Sequence, residues 1–256
     1  MGRGAGRDVS PLGAGRQGEL TGAAWLGIPQ TLGPRATEKE DGLPPLLILL
    51  TIVTGVVDAL AYLRLGHVFV ANMTGNVVFI GFAAAGAGGL SVPGSLIALA
   101  CFLPGGVAAG RIAARFGDDR RRQLRAAVAV EFALCAVAVV VAAVAGRHLG
   151  TGSRYALIVL LSLGMGAQNA TARRLAVPDL TTTVLTQTLT GIAADSRVGG
   201  GTGGGTTRRV IAVLAMLIGA IAGALLLLHL APVAPLVCAA ILLALVAVAA
   251  GRRRDA

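Results

Sequence analysis

The chain has 256 residues, 55% of them hydrophobic and only 13% charged, against about 25% charged in soluble domains. With a mean hydropathy of +0.79, that composition excludes an ordinary soluble domain and indicates an integral membrane protein. The formal net charge of +10 does not argue for nucleic acid, because the arginines stand between apolar runs, as membrane topology requires.

Residues 1–43 are rich in Gly and Arg and lack the apolar core of a signal peptide. They are expected to form a disordered tail outside the fold. A single transmembrane domain is expected over 44–250, followed by a basic tail at 251–256. The apolar segments run over 44–63, 68–88, 93–115, 126–146, 155–172, 180–194, 210–230 and 233–250. A spanning helix needs about 20 apolar residues. Six segments come near that without polar clusters. The second, with "VANMTGNVVFIG", and the sixth, "LTTTVLTQTLTGIAA", do not.

Charge then selects a topology. If all eight segments spanned, "GDDRRRQLR" after segment three and the C-terminal "GRRRDA" would lie on opposite sides. If segments two and six enter and leave on one side, Arg115, Arg120 to Arg122, Arg125, Arg173, Arg174, Arg197, Arg208, Arg209 and Arg252 to Arg254 share the cytoplasmic face. Only Arg64, Arg147 and Arg154 remain outside, which satisfies the positive-inside rule. The expected fold is an all-α membrane protein with about six spanning helices plus two short or re-entrant helices. Both termini are placed in the cytoplasm.

The two halves, about 44–146 and 154–250, resemble each other. At one common offset Gly55 falls on Gly166, Asp58 on Asn169, Asn72 on Thr183 and Asn76 on Gln187. Gly106-x-x-x-Gly110 in segment three is echoed by Gly219-x-x-x-Gly223 in segment seven. Such spacing lets helix backbones approach closely in lipid, within a chain or between copies in an oligomer. Three spans per half make the repeat inverted, a plan common among secondary transporters.

The polar residues inside these segments are the candidate solute- or ion-binding residues: Asp58, Asn72, Thr74, Gly75, Asn76, Gln168, Asn169, Thr183, Thr186 and Gln187. Asn72, Thr74 and Asn76 would begin a half-helix near mid-membrane, capping its free N–H groups or facing a solute with its positive end. Gly75 would permit close approach. Asp58 is a carboxylate deep in the first segment, where a charge is costly and suggests function. It reads either as a proton or cation site or as a hydrogen-bond partner of segment two. Gln168 and Asn169 suit interhelical hydrogen bonds or solute contact. Arg111 and Glu131, at similar depth, are expected to form a structural ion pair.

No metal site or cofactor is expected. Cys101, Cys135 and Cys238 lie inside apolar runs without C-x-x-C spacing, and His67, His148 and His229 are scattered near segment ends. Nor is catalysis, since no Ser–His pairing or paired aspartates sit at suitable depth in the apolar segments, and the sequence holds no G-x-x-x-x-G-K-[ST] loop.

The stretches "TGVVDALAYLRLGHVFVANMTGNVVFIG" and "GMGAQNATARRLAVPDLTTTVLTQTLTGIA" resemble the paired signatures of the YoaK-like bacterial membrane proteins, a family of unknown function. The resemblance covers roughly 44–250. It implies a multi-pass inner-membrane protein and carries no activity with it. The residues themselves point to a small-solute transporter or channel with a midplane polar site, with membrane lipids and a small polar solute or proton as partners. A non-transporting scaffold or partner-binding subunit is the alternative.

Overall fold

The computed structural model describes residues 1, 42–175, 185–196, 199–200 and 205–252. Apart from Met1, all of these lie in the unit Glu40–Ala256. Most of the N-terminal tail, Thr183 and residues 253–256 fall outside the described residues.

Among the described residues the fold is entirely helical: α1 (Leu43–Arg64), α2 (Met73–Ala84), α3 (Val92–Phe116), α4 (Arg120–Ala145), α5 (Thr151–Leu175), α6 (Leu185–Ala194), α7 (Thr206–His229) and α8 (Val233–Gly251). Six are long and apolar enough to cross a membrane, and α2 and α6 are not. With 12 residues, α2 extends about 18 Å at ~1.5 Å per residue, short of a hydrocarbon core of ~30 Å. The boundaries follow local chemistry. Ser91 caps α3 by accepting from Gly94 N at 3.1 Å, and Asp119 caps α4 by accepting from Arg122 N at 2.9 Å. Gly117 and Gly146, at φ 56° and 66°, end α3 and α4.

The second segment turns back on itself. After α1 the chain makes a tight left-handed turn at Gly66 and His67, with φ of 105° and 56°. Residues 68–72 are non-helical, α2 follows, and the chain returns beside its starting point. Ser91 N donates to Gly66 O at 3.3 Å, and His67 Nδ1 lies 2.9 Å from Gly89 O. Entry and exit are therefore at the same end of the bundle, as the charge distribution required.

The packing is duplicated and exchanged between halves. α1 lies along α7 of the other half, and α5 lies along α3. α4 packs on α5 as α8 packs on α1, while α4 also meets α8. The buried faces repeat in register: Leu46, Leu47, Leu50 and Gly55 of α1 answer to Leu157, Ile158, Leu161 and Gly166 of α5. Ala98, Gly105 and Ala109 of α3 answer to Ala212, Gly219 and Gly223 of α7. Backbones touch at these glycines. A Cβ on Gly55 would stand 2.5 Å from Met216 O, and one on Gly219 would strike Ile52 O; in the other half, one on Gly166 would strike Phe102 O and one on Gly105 would strike Leu163 O. The α7 pair Gly219 and Gly223 is thus used within the chain. In α3 the contact residue is Gly105, one position before the expected Gly106, and Gly110 has open space around it.

The helix ends sort the arginines. A Cβ on Gly42, before α1, would lie 3.0 Å from Arg121 Nη2. Arg120 donates to Leu175 O at the end of α5, and Arg121 Nη1 donates to Arg252 O past α8 at 2.7 Å. The start of α1 and the end of α5 therefore lie at one end, so the equivalent helices run in opposite directions and the repeat is inverted. At the other end Arg64, Arg147 and Arg154 line one cavity of about 100 Å³. The central helices are α1 and α5, with 67% and 61% of their apolar windows buried. α3 and α7 turn Leu103 and Ile218 outward.

Candidate functional site

The non-helical residues 68–72 pose a problem that the sequence solves with two side chains. Backbone N–H and C=O groups at this depth need partners within the protein. Asp58 Oδ1 accepts from Val70 N at 2.9 Å and Ala71 N at 3.0 Å. Asn76 reaches back from α2: its Oδ1 accepts from Phe69 N at 2.9 Å, and its Nδ2 donates to Phe69 O at 2.6 Å. Asp58 and Asn76 together thus replace the helical hydrogen bonds that residues 69–71 have lost. Both are buried, Asn76 completely. Asp58 sits six residues before the end of α1, or about 9 Å in from that end. The break is therefore shallower than the mid-membrane start expected, because the turn at 66–67 leaves only five residues to descend.

Aromatic packing fixes the hairpin. Tyr62 stacks on Phe69 at 5.2 Å between centroids, and Phe69 stacks on Phe79 at 5.7 Å. Gly75 belongs to this arrangement, since a Cβ there would stand 2.7 Å from the Phe69 ring. The close approach it permits here is that of the Phe69 ring. Asn72 is the N-cap of α2 but makes no side-chain capping bond. The three residues begin α2 as expected, with Asn72 and Thr74 exposed and Asn76 buried.

The second half keeps the plan with different chemistry. Gln168 Nε2 donates to Thr54 Oγ1 at 2.7 Å and to Leu50 O at 3.3 Å, tying α5 to α1. Asn169, in the place of Asp58, donates to Met165 O at 2.9 Å within its own helix. In α6, Thr186 and Gln187 are exposed and Thr188 is the buried residue. The inward position is one residue later than the Gln187 assigned by the repeat, because the register slips by one between segments five and six. Arg209 closes the exit of α6, donating to Gly191 O at 2.7 Å and pairing with Asp195 at 2.6 Å.

The expected Arg111–Glu131 pair does not form. Arg111 is exposed on α3, while Glu131 faces inward from α4 at 2% exposure. Equal depth did not bring them together, because they occupy faces pointing in different directions. Both Glu131 oxygens are buried without a hydrogen-bond partner, as are Asp58 Oδ2 and Gln168 Oε1. Glu131 and Cys135 line a cavity of about 10 Å³ between α1, α4, α5 and α8, room for about one water. Among the described residues, no group of three or more His, Cys, Asp or Glu could hold a metal. Sequence reading missed Tyr62, Phe69, Phe79 and Thr188. The aromatics were visible only as a local concentration in an aromatic-poor chain.

Six spans, an inverted repeat and a re-entrant hairpin stitched by buried polar side chains define a multi-pass membrane protein. The family model described as "Protein of unknown function (DUF1275)" matches residues 46–249, and the chain belongs to that family. It is 37% identical over 150 residues to the UPF0700 transmembrane protein YoaK of Bacillus subtilis (strain 168). That match covers 59% of this chain and 65% of the relative, so the chain spans a little under two thirds of the relative's length. No solved structure matches the chain.

Proposed function

We propose that the protein is a secondary transporter or channel for a small polar solute, set in the bacterial inner membrane with both termini in the cytoplasm. The observation that carries this reading is the closed hairpin of residues 66–91, whose broken backbone is held by Asp58 and Asn76. It sits in an inverted repeat whose halves exchange helices. Inverted repeats with interrupted segments are the frame of many secondary transporters, in which one repeat rocks against the other. The orientation rests on the arginines gathered at the end where α1 begins.

The test is a flux screen of small polar solutes on a strain lacking the gene, followed by the purified protein in liposomes. At least one solute is expected to lose transmembrane flux in the deletion and regain it in liposomes. No protein-dependent flux in the liposomes for any solute overturns the reading. Topology is tested with single cysteines in place of Arg64 and Ala87, both exposed, in a background without Cys101, Cys135 and Cys238. Both are expected to react with an impermeant thiol reagent from outside, and reaction from opposite faces would exclude the re-entrant hairpin.

One observation favours a second reading, a non-transporting scaffold or partner-binding subunit. Asp58 Oδ1, both ends of the Asn76 amide and the Gln168 amide nitrogen all bind protein groups. These residues hold helices and a hairpin together, whatever passes between them.

A further inference from the structure

Among the described residues, Glu131 is a buried carboxylate with neither oxygen partnered, and the packing offers no explanation for it. Its carboxylate sits among apolar side chains: Val53 and Val57 from α1, Leu161 and Met165 from α5, and Leu243 from α8. The other titratable group facing the cavity is Cys135, one turn along α4, whose Sγ lies 3.5 Å from Leu236 O. Among the described residues, no cationic side chain lines the cavity, and neither carboxylate oxygen has a donor.

The duplicated fold supplies an internal control. Leu124, Ala127, Glu131 and Ala138 of α4 answer in register to Leu236, Ala239, Leu243 and Ala250 of α8. Glu131 and Leu243 thus occupy equivalent places and line the same cavity. In the second half a leucine fills this position, so the architecture does not require a carboxylate here. The neighbouring helix is cut back to admit it, since a Cβ on Gly164 would stand 3.2 Å from Glu131 Cγ. Val53 holds the equivalent place on α1. A charged side chain facing an apolar interior without a partner is destabilising, and in membranes such residues mark ion and proton paths.

We propose that Glu131 is a proton-binding site, loaded and unloaded through the one-water cavity beside it where the two repeats meet. This deepens the transport reading and rests on it for its use, since a proton held between α1, α4, α5 and α8 is placed to couple their relative movement. Binding is an acid–base step alone: the carboxylate takes a proton from a water molecule in the cavity or returns it there, with no redox partner. A neutral acid suits this apolar cavity better than a carboxylate, which makes protonation and packing interdependent.

The test uses the full chain in detergent micelles and needs no transport. Dicyclohexylcarbodiimide, an apolar reagent that modifies protonated carboxyls, is applied over a pH series and the adducts are mapped by peptide mass spectrometry. The expected result is an adduct at Glu131 whose yield falls about tenfold per pH unit above the acid's midpoint, and no adduct in Glu131→Gln. Because the adduct is mapped on the unaltered protein, the result does not depend on any variant folding. Absence of an adduct at Glu131, a yield independent of pH, or protection by sodium at fixed pH each overturns the assignment. A positive result with no solute flux in liposomes would leave the proton site standing and remove the transport reading.

Discussion

Asp58 and Glu131 are two carboxylates buried in the same bundle, and the bundle treats them differently. Asp58 lies opposite a stretch of broken backbone and accepts from two amides with one oxygen. Glu131 lies between intact helices whose amides are already used, and neither of its oxygens has a partner. Both are almost fully buried. The difference is the state of the backbone opposite, because a helix exposes donors only where it is interrupted. A buried acid beside an interruption serves the fold, whereas one between complete helices is free for another task.

Substitutions can break or sharpen that contrast. The largest effect is expected from Asp58→Ala, which strips Val70 and Ala71 of their acceptor. With about 1–3 kcal/mol for each orphaned group, the loss is roughly 2–6 kcal/mol. It should appear as a large fall in melting temperature in detergent, with Asp58→Asn in between; a melting curve like that of the unaltered protein would end the anchoring role. The double change of Gly105 and Gly219 to Ala comes next, since each Cβ meets a backbone carbonyl that can move only with its helix. Overpacking of about 1–3 kcal/mol per site, additive for separated sites, predicts earlier elution on gel filtration and a lower melting temperature.

Asn76→Ala also frees two groups, Phe69 N and O, but Phe69 is only half-buried and water can reach them, so the loss is expected at the low end, about 1 kcal/mol for each, and it should raise proteolysis between residues 66 and 73 selectively. The smallest effect is expected from Glu131→Gln, within about 1 kcal/mol of the unaltered protein in melting experiments. A collapse as deep as that of Asp58→Ala would show that both carboxylates are structural and dissolve the contrast.

The sequence made the frame legible because lipid imposes strong rules. Span length and arginine placement separated six spans from two short elements, and the match of Gly55 to Gly166 exposed the repeat. Asp58 and Asn76 were recognisable because polar groups stand out in an apolar chain. Their partners were not, because hydrogen bonds to backbone leave no mark on residue identity. The failed pairing of Arg111 with Glu131 has a related cause: depth follows from counting residues, but which way a side chain faces follows from packing. Likewise Gly105 and Gly106 are adjacent in the sequence, and only the seating of α3 on α5 selects between them.

The exchange of helices between halves has a consequence for synthesis. α1 leaves the ribosome first, yet its glycine seat on α7 arrives with Gly219, roughly 160 residues later. At ~5–20 residues per second, the first span waits some 8–30 s in the bilayer with its docking face unpaired. Neither half completes its own packing, so the repeat that looks like two modules is assembled as one object, from the inside out, only once the last third of the chain has been made.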